Sequence, residues 1–256
     1  MKVNCRIAAF VLLTWPGISG SAGIMASSSE SANNQMISYN VVWDSPSTNA
    51  MGSMPLGNGD IALNVWAEEG GDLWCYIAKA DAWDGGNNLI KAGCVRFSLN
   101  PNPFSKGRPF RQELKLAQGE IVIQAGQGDS AVTMRIWVDA NHPVIHLESE
   151  SKTLFSMRAS VEMPWRTGDV FLPAEKNRVA WYHRNTNSSW SAWMKQQGLE
   201  SLIPKLSDPL LNRTFGALMK GKGMVNDGNQ ALKSNKPQSS YAIALYPFTR
   251  QTASVE

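Results

Sequence analysis

The sequence predicts an all-β protein, a large antiparallel β-sandwich with one short surface helix. Apolar and polar residues alternate with a period of two along many short runs, as expected for strands that bury one face. Turn-forming residues separate these runs at intervals of about eight to twelve residues, a spacing typical of sandwiches and barrels. Only one segment has the three-to-four spacing of apolar residues that indicates an amphipathic helix.

Residues 1–22 have the features of a secretory signal peptide in the usual order. Lys2 and Arg6 precede the apolar run "IAAFVLLTW", and small residues follow up to Ala22. The run is too short to span a bilayer as a helix, although a buried strand or a retained anchor would be alternatives. We therefore expect a secreted or periplasmic protein, with residues 23–36 as a flexible polar leader and residues 37–256 as the β-sandwich domain.

Composition narrows the class of protein and of partner. Hydrophobic residues make up 43% of the chain and charged residues 18%, which is ordinary for a globular protein. The formal charge is +3, and removal of Lys2 and Arg6 lowers it by two, to +1. No basic cluster remains in residues 23–256, so we expect neither nucleic acid nor a membrane surface as partner.

Strands are expected along most of the chain, in meander order. Turn-like separators such as "QG", "GQGDS" and "DANH" divide them. The expected strands are residues 61–66, 73–79, 94–99, 110–117, 120–125, 131–138, 143–149, 154–163, 213–219, 223–225 and 241–249. Residues 188–203 predict the helix, which Gly198 should interrupt and Pro204 should end.

Two cysteines follow the predicted signal peptide. Cys75 and Cys94 fall in neighbouring expected strands, and an even number of cysteines in an oxidising compartment favours a disulfide. The alternative is two separate buried thiols, because cysteine packs well as a small hydrophobic residue. We expect the bridge by a small margin.

Motifs for metal or cofactor chemistry are not found. His142 and His146 are four residues apart, but on a strand this spacing separates them by roughly 13 Å, too far to share one metal. The sequence has no nucleophile elbow, phosphate loop or dinucleotide fingerprint. We therefore expect neither a metal nor a cofactor.

Paired carboxylates offer a route to glycoside hydrolysis, which uses two acids on either side of the scissile bond. Asp81 and Asp84 flank Trp83, and an indole ring beside carboxylates could hold a sugar. The simpler interpretation, which we favour, is a tight turn at Asp84 beside a core tryptophan. Glu148 and Glu150 share one face of a strand, where solvent exposure is expected.

The stretch "VAWYHRNTNSSW" places aromatic and polar residues together at the end of a strand. Loops at the ends of a sandwich are where binding groups gather. The candidate binding residues are Trp181, His183, Arg184 and Trp190. Core packing explains the same aromatics equally well, so both interpretations stay open.

The stretch "VVWDSPSTNAMGSMPLGNGDIALNVW…WCYIAKADAWDG" resembles the start of α-L-fucosidase-type glycoside hydrolases of the family 95 kind. The matching positions are Trp43, Pro46, Pro55, Leu56, Gly57, Asn58, Gly59, Trp83 and Gly85. The order departs from the family pattern around Pro55, and Asp81 stands where the hydrolases usually have Asn-Glu. The later segments "LPAEKNRVAWYHRN" and "GLESLIPKLSDPLLNRTFGALMKG" are similar to the uncharacterised branch of the family.

The resemblance implies an N-terminal β-supersandwich followed by a six-fold α/α barrel that carries the catalytic carboxylate. Residues 37–256 contain no run of amphipathic helices, so the family's catalytic residues match no positions here. We expect a non-catalytic N-terminal domain of a carbohydrate-active protein, whose partners are a helical barrel in a longer homologous chain and, weakly, a carbohydrate. The alternatives are a freestanding carbohydrate-binding module and an envelope interaction protein without affinity for sugar.

Overall fold

The computed structural model describes residues 35–163 and 168–253, and in these ranges the chain is mostly β. The predicted signal peptide and most of the predicted leader lie outside the described residues. The strands are β1 Val41–Trp43, β2 Met54–Gly57, β3 Ile61–Ala67, β4 Leu73–Trp83, β5 Leu89–Asn100, β6 Phe110–Lys115, β7 Glu120–Ala125, β8 Val132–Val138, β9 Ile145–Val161, β10 Val170–Phe171, β11 Arg178–Arg184, β12 Arg213–Lys222, β13 Met224–Asn226, β14 Ala231–Ser234 and β15 Gln238–Gln251. The predicted all-β antiparallel class is confirmed.

Two antiparallel sheets share strand β9. The first sheet has the strand order β1-β6-β7-β8-β9-β15-β12-β11-β10, and the second runs β2-β3-β4-β5-β9-β14-β13. The first half of β9 pairs with β8 and β15, and its second half pairs with β5 and β14. One strand therefore passes from one layer of the sandwich to the other.

The core lies between the inner faces of the two sheets. Strand β3 buries Ile61, Leu63 and Val65 while the residues between them face solvent, and β15 does the same with Ile243 and Leu245. Strands of both sheets contribute to one hydrophobic cluster. The period-two pattern in the sequence thus marks the face that each strand buries.

Strand β9 corrects one boundary of the sequence prediction. The strands expected at residues 143–149 and 154–163 form one continuous strand, Ile145–Val161. The intervening segment "ESKT" contains neither glycine nor proline, so nothing in it breaks the extended backbone. The exposed side chains at its middle mark the crossing between sheets rather than a turn.

The predicted broken helix is present on the surface. Helix α1 spans Trp190–Gln196, and a 3-10 helix spans Glu200–Lys205. Gly198 lies between them, as the sequence predicts, whereas Pro204 lies inside the 3-10 helix instead of ending the segment. Shorter 3-10 turns occur at Ala50–Gly52 and Gly128–Ser130.

Cys75 and Cys94 are free and buried, which corrects the expected disulfide. In the β4–β5 register Cys75 faces Val95, and Tyr76 faces Cys94. Because side chains of successive residues point to opposite faces of a sheet, the two sulfur atoms lie on opposite faces of the second sheet. Burial raises the pKa of both thiols, that of Cys94 to about 12.

We expect two titratable thiols in a preparation that lacks residues 1–22. Ellman's reagent should react with neither thiol in the native protein, because burial keeps both protonated and inaccessible. After denaturation without reductant it should react with both, and a Cys75→Ala variant should give one. An absence of thiols in the denatured, unreduced protein would show that the bridge forms.

Trp181 of β11 connects the inner faces of the two sheets. Its ring is 1% exposed, and its Nε1 donates a hydrogen bond to the Ala92 carbonyl of β5 at 2.9 Å. A Cβ atom on Gly93 would lie 2.9 Å from Cζ2 of this ring, so the glycine makes room for the indole. The position favours core packing over ligand binding for Trp181.

Replacement of Trp181 should cost far more stability than replacement of a surface tryptophan. Trp181→Ala removes a fully buried ring and should lower the free energy of unfolding by about 3–5 kcal/mol. Trp193→Ala is the matched control, because Trp193 is 44% exposed on α1, and its cost should stay below about 1 kcal/mol. Urea unfolding followed by circular dichroism measures both, and equal costs would contradict the packing role of Trp181.

Candidate functional site

The Gly-Asn-Gly segment at residues 57–59 forms the turn between β2 and β3. The Asn58 Oδ1 accepts hydrogen bonds from the backbone N–H groups of Asp60 and Ile61. Its Nδ2 donates to the Asp139 carbonyl at 2.9 Å, which ties the turn to the first sheet. The side-chain amide of Asn58 therefore holds the turn and joins it to the first sheet.

Lys79 joins this turn to Asp81. Its Nζ lies 2.7 Å from an Asp60 carboxylate oxygen and 3.0 Å from one of Asp81. Partial burial opposes both charges, but the ion pair outweighs it and holds the pKa of Asp81 below its usual value and that of Lys79 above its own. The Asp81 carbonyl also accepts from Arg213 Nη1 at 2.8 Å. Asp81 is thus engaged in holding two segments together.

Asp84 caps the turn between β4 and β5. Its Oδ1 accepts from the N–H of Gly86 at 2.9 Å and from that of Asn88 at 2.8 Å. The side chain of Asn88 donates to the same carboxylate. This is the turn role that the sequence favours, and it leaves Asp81 and Asp84 with separate structural partners.

The β4–β5 turn packs directly against the segment between β11 and α1. The Gly85 carbonyl accepts from the N–H of Ser189 at 2.7 Å, and Asn185 Nδ2 donates to the Trp83 carbonyl. A Cβ atom on Gly85 would lie 2.3 Å from the Asn187 carbonyl oxygen. Only glycine permits this approach, so the Asp-Gly-Gly segment at residues 84–86 packs against the stretch that holds the candidate binding residues.

A polar cleft of about 380 Å³ lies where these segments meet. The turn contributes one wall, and the end of β11 with the following loop contributes the other. The lining residues are Asp84, Gly85, Gly86, Gly168, His183, Arg184, Asn185, Thr186 and Asn187. Ends of strands supported by a rigid sandwich are a usual place for ligand contacts.

His183 is held in this cleft by a buried carboxylate. Its Nδ1 lies 3.4 Å from Asp169 Oδ1, and the Asp169 side chain is only 5% exposed. Pairing of Val170 with Tyr182 in the β10–β11 hairpin places these neighbours together. Sequence reasoning missed Asp169, although a hairpin around the turn "AEKN" would have placed it opposite His183.

Asn185 also lines the cleft, and its side-chain oxygen is buried. The residue is 3% exposed, and its Nδ2 donates to the carbonyls of Trp83 and Leu210. Its Oδ1 has no hydrogen-bond partner among the described residues. A buried acceptor without a donor is uncommon in folded proteins.

The structure separates the four candidate binding residues. Trp181 is in the core, and Trp190 is half-buried at the start of α1. Arg184 lines the cleft, but its guanidinium donates to the carbonyls of Asn212, Thr252 and Ala253 and to the Thr214 hydroxyl. His183 alone keeps a ring that borders the cleft and is held by a carboxylate.

The cleft therefore offers the imidazole of His183, the exposed side-chain amide of Asn187 and backbone groups, a set that suits a hydroxylated ligand. Within residues 35–163 and 168–253, no three His, Cys, Asp or Glu side chains are grouped as they would be around a metal ion. In the same ranges no helix is long and apolar enough to cross a membrane.

Comparison with known proteins gives one family. A family model described as a domain of unknown function, DUF5703, matches residues 42–175 and 169–256. No curated protein matches the sequence. The two overlapping matches cover nearly all of the described sandwich, and the chain therefore belongs to the DUF5703 N-terminal domain family.

Proposed function

We propose that this chain is the non-catalytic N-terminal domain of a secreted, glycoside-hydrolase-like protein that acts on carbohydrate. Catalysis would belong to a helical barrel domain in a longer homologous chain. The observation that carries the proposal is the structural role of Asp81 and Asp84, the acids of the fucosidase-like motif at residues 43–85. Asp81 forms an ion pair with Lys79, and Asp84 accepts hydrogen bonds within its own turn.

Glycoside hydrolysis needs a general acid and a base or nucleophile held on opposite sides of a bound sugar. The cleft contains Asp84, which caps its own turn, and beside it lies Asp169, whose carboxylate is buried against His183. Each of the two acids thus already has partners within the fold. The residues that carry the resemblance thus hold turns and ion pairs of the fold, while the cleft offers polar groups to a ligand.

Sugar contact at the cleft is the second part of the proposal. His183 and the exposed side-chain amide of Asn187 lie beside the backbone of the Asp-Gly-Gly turn. Hydroxyl groups both donate and accept, so they match such a mixed set. The same feature favours the alternative of a freestanding carbohydrate-binding module, which differs in having no catalytic partner domain.

The isolated chain should not hydrolyse 4-nitrophenyl α-L-fucoside or β-D-galactoside. Release of nitrophenol should stay at the level of a protein-free blank for the wild type and for Asp81→Asn and Asp84→Asn. The Asp84→Asn side chain keeps an Oδ1 acceptor for the turn, so this variant should remain folded. Turnover by the wild type that both variants lose would contradict the non-catalytic role.

The gene sequence beyond codon 256 distinguishes the domain from the module. An open reading frame that continues into paired amphipathic helices is the expected result, because the proposal places catalysis on a helical barrel. A stop codon at this position in the intact gene would favour the freestanding module.

A further inference from the structure

A groove runs along strand β15 on the outer face of the first sheet. The inward residues of this strand are large, whereas the outward residues Ser240, Ala242 and Ala244 are small. Long side chains stand on both neighbouring strands. The small side chains therefore form the floor of a trough whose walls are β12 and β9.

The strand register sets the two walls opposite each other. Ala242 pairs with Lys222 on β12 and with Glu148 on β9. Ala244 pairs with Lys220 and His146 in the same way. One wall is thus basic, and the other carries a carboxylate and an imidazole.

Three cavities occupy this trough and share lining residues. The first, of about 420 Å³, and the second, of about 280 Å³, both contact Lys222, Glu148 and Ala242. The second and a third, of about 740 Å³, both contact Lys220 and Asn177. From Ser240 to Tyr246 the groove follows seven residues of one strand, and the six steps between them span roughly 20 Å at about 3.3 Å per step.

The end of the groove near Tyr246 has a fixed wall. The loop between β10 and β11 forms it, and Glu175 and Arg178 close this loop with an ion pair. Asn226 donates from its N–H to the Lys176 carbonyl at 3.0 Å and from its Nδ2 to the Arg178 carbonyl at 2.8 Å. The Tyr246 ring is 39% exposed beside this wall, so it offers a face on which a sugar ring can stack.

The charges of the two walls favour a neutral ligand with many hydroxyl groups. Charged side chains of both signs line the three cavities: Arg135, Lys176, Arg178, Lys220 and Lys222, and Glu148, Glu150 and Glu175. Arg178 is paired with Glu175 and Arg135 with Glu120, whereas Lys220 and Lys222 form no ion pair with any described side chain, and Arg135 Nη1 lies 3.9 Å from Glu148. A polymer with charges of one sign would therefore meet like charges on one of the two walls. Hydroxyl groups accept from ammonium groups and donate to carboxylates, so they suit both walls.

An extended peptide does not fit the groove in the usual way. Peptides that bind sheets add to an edge strand, where backbone groups are unpaired. Strands β9, β15 and β12 are interior strands of the first sheet, with a partner on each side. The groove exposes side chains rather than free backbone groups.

We propose that this groove binds a neutral, linear oligosaccharide lengthwise along β15. One sugar ring stacks on Tyr246, and hydroxyl groups of the following units contact Lys220, Lys222 and Glu148. The inference rests on the carbohydrate role proposed above, and it adds a surface separate from the His183 cleft.

Affinity electrophoresis of the full chain in gels that contain xylan, β-glucan or galactan tests the groove. At least one polymer should retard the protein, and Tyr246→Ala should weaken the binding about tenfold or more. Ala242→Tyr should weaken the binding to a similar degree, because the tyrosine ring would fill the floor of the groove at an exposed position. Polygalacturonate should cause little retardation because of its charge.

Two variants serve as controls. Ala62→Tyr makes the same change at an exposed alanine of β3 in the second sheet, and Trp193→Ala removes an exposed aromatic ring of α1. Both should bind the polymer within about twofold of the wild type. His183→Ala tests the cleft separately. Retardation lost only in His183→Ala would overturn the groove and leave the proposed function standing. The groove would also be overturned by binding that survives Ala242→Tyr, by stronger binding of polygalacturonate, or by a lack of retardation in every neutral polymer. The proposed function is tested separately, by glycoside turnover and by the gene sequence beyond codon 256.

Discussion

Both sheets of the sandwich depend on the continuous backbone of β9. Its first half completes the first sheet between β8 and β15, and its second half completes the second sheet between β5 and β14. Tyr241 fixes the crossing, because its hydroxyl donates to the Phe155 carbonyl at 2.7 Å and the two rings meet edge to face. The relative position of the two layers, and therefore of cleft and groove, follows from this strand.

The cleft shows how turn chemistry can resemble site chemistry. Asn58, Asp81 and Asp84 are residue types that catalytic sites use, yet each has hydrogen-bond partners that hold a turn or an ion pair. Carboxylates and amides satisfy backbone N–H groups where a chain reverses. A motif rich in Gly, Asn and Asp at the end of a sheet therefore predicts a turn before it predicts a catalytic site.

Local patterns in the sequence predict the fold class and the broken helix, because alternation and turn residues are local signals. The continuity of β9 and the separation of Cys75 from Cys94 depend on strand register, which a single sequence does not specify. The same limit applies to the site. The burial of Trp181 and the contact of Asp169 with His183 both come from pairings between distant segments. Sequence reasoning could place His183 near the end of a strand, but could not predict the carboxylate beside it.

Strand β15 gives a physical reason to regard its outer face as functional. Alanine is a poor strand former, and large β-branched or aromatic residues stabilise the exposed face of an interior strand through contacts across strands. Ser240, Ala242 and Ala244 forgo these contacts at consecutive outward positions, while the inward residues of the same strand are well packed. Stability alone does not explain three small residues in a row between long charged walls. A requirement to keep the groove open does explain them. Polymer binding would then take place on the face of the first sheet, and short polar contacts would be made in the cleft at the end of the sheet.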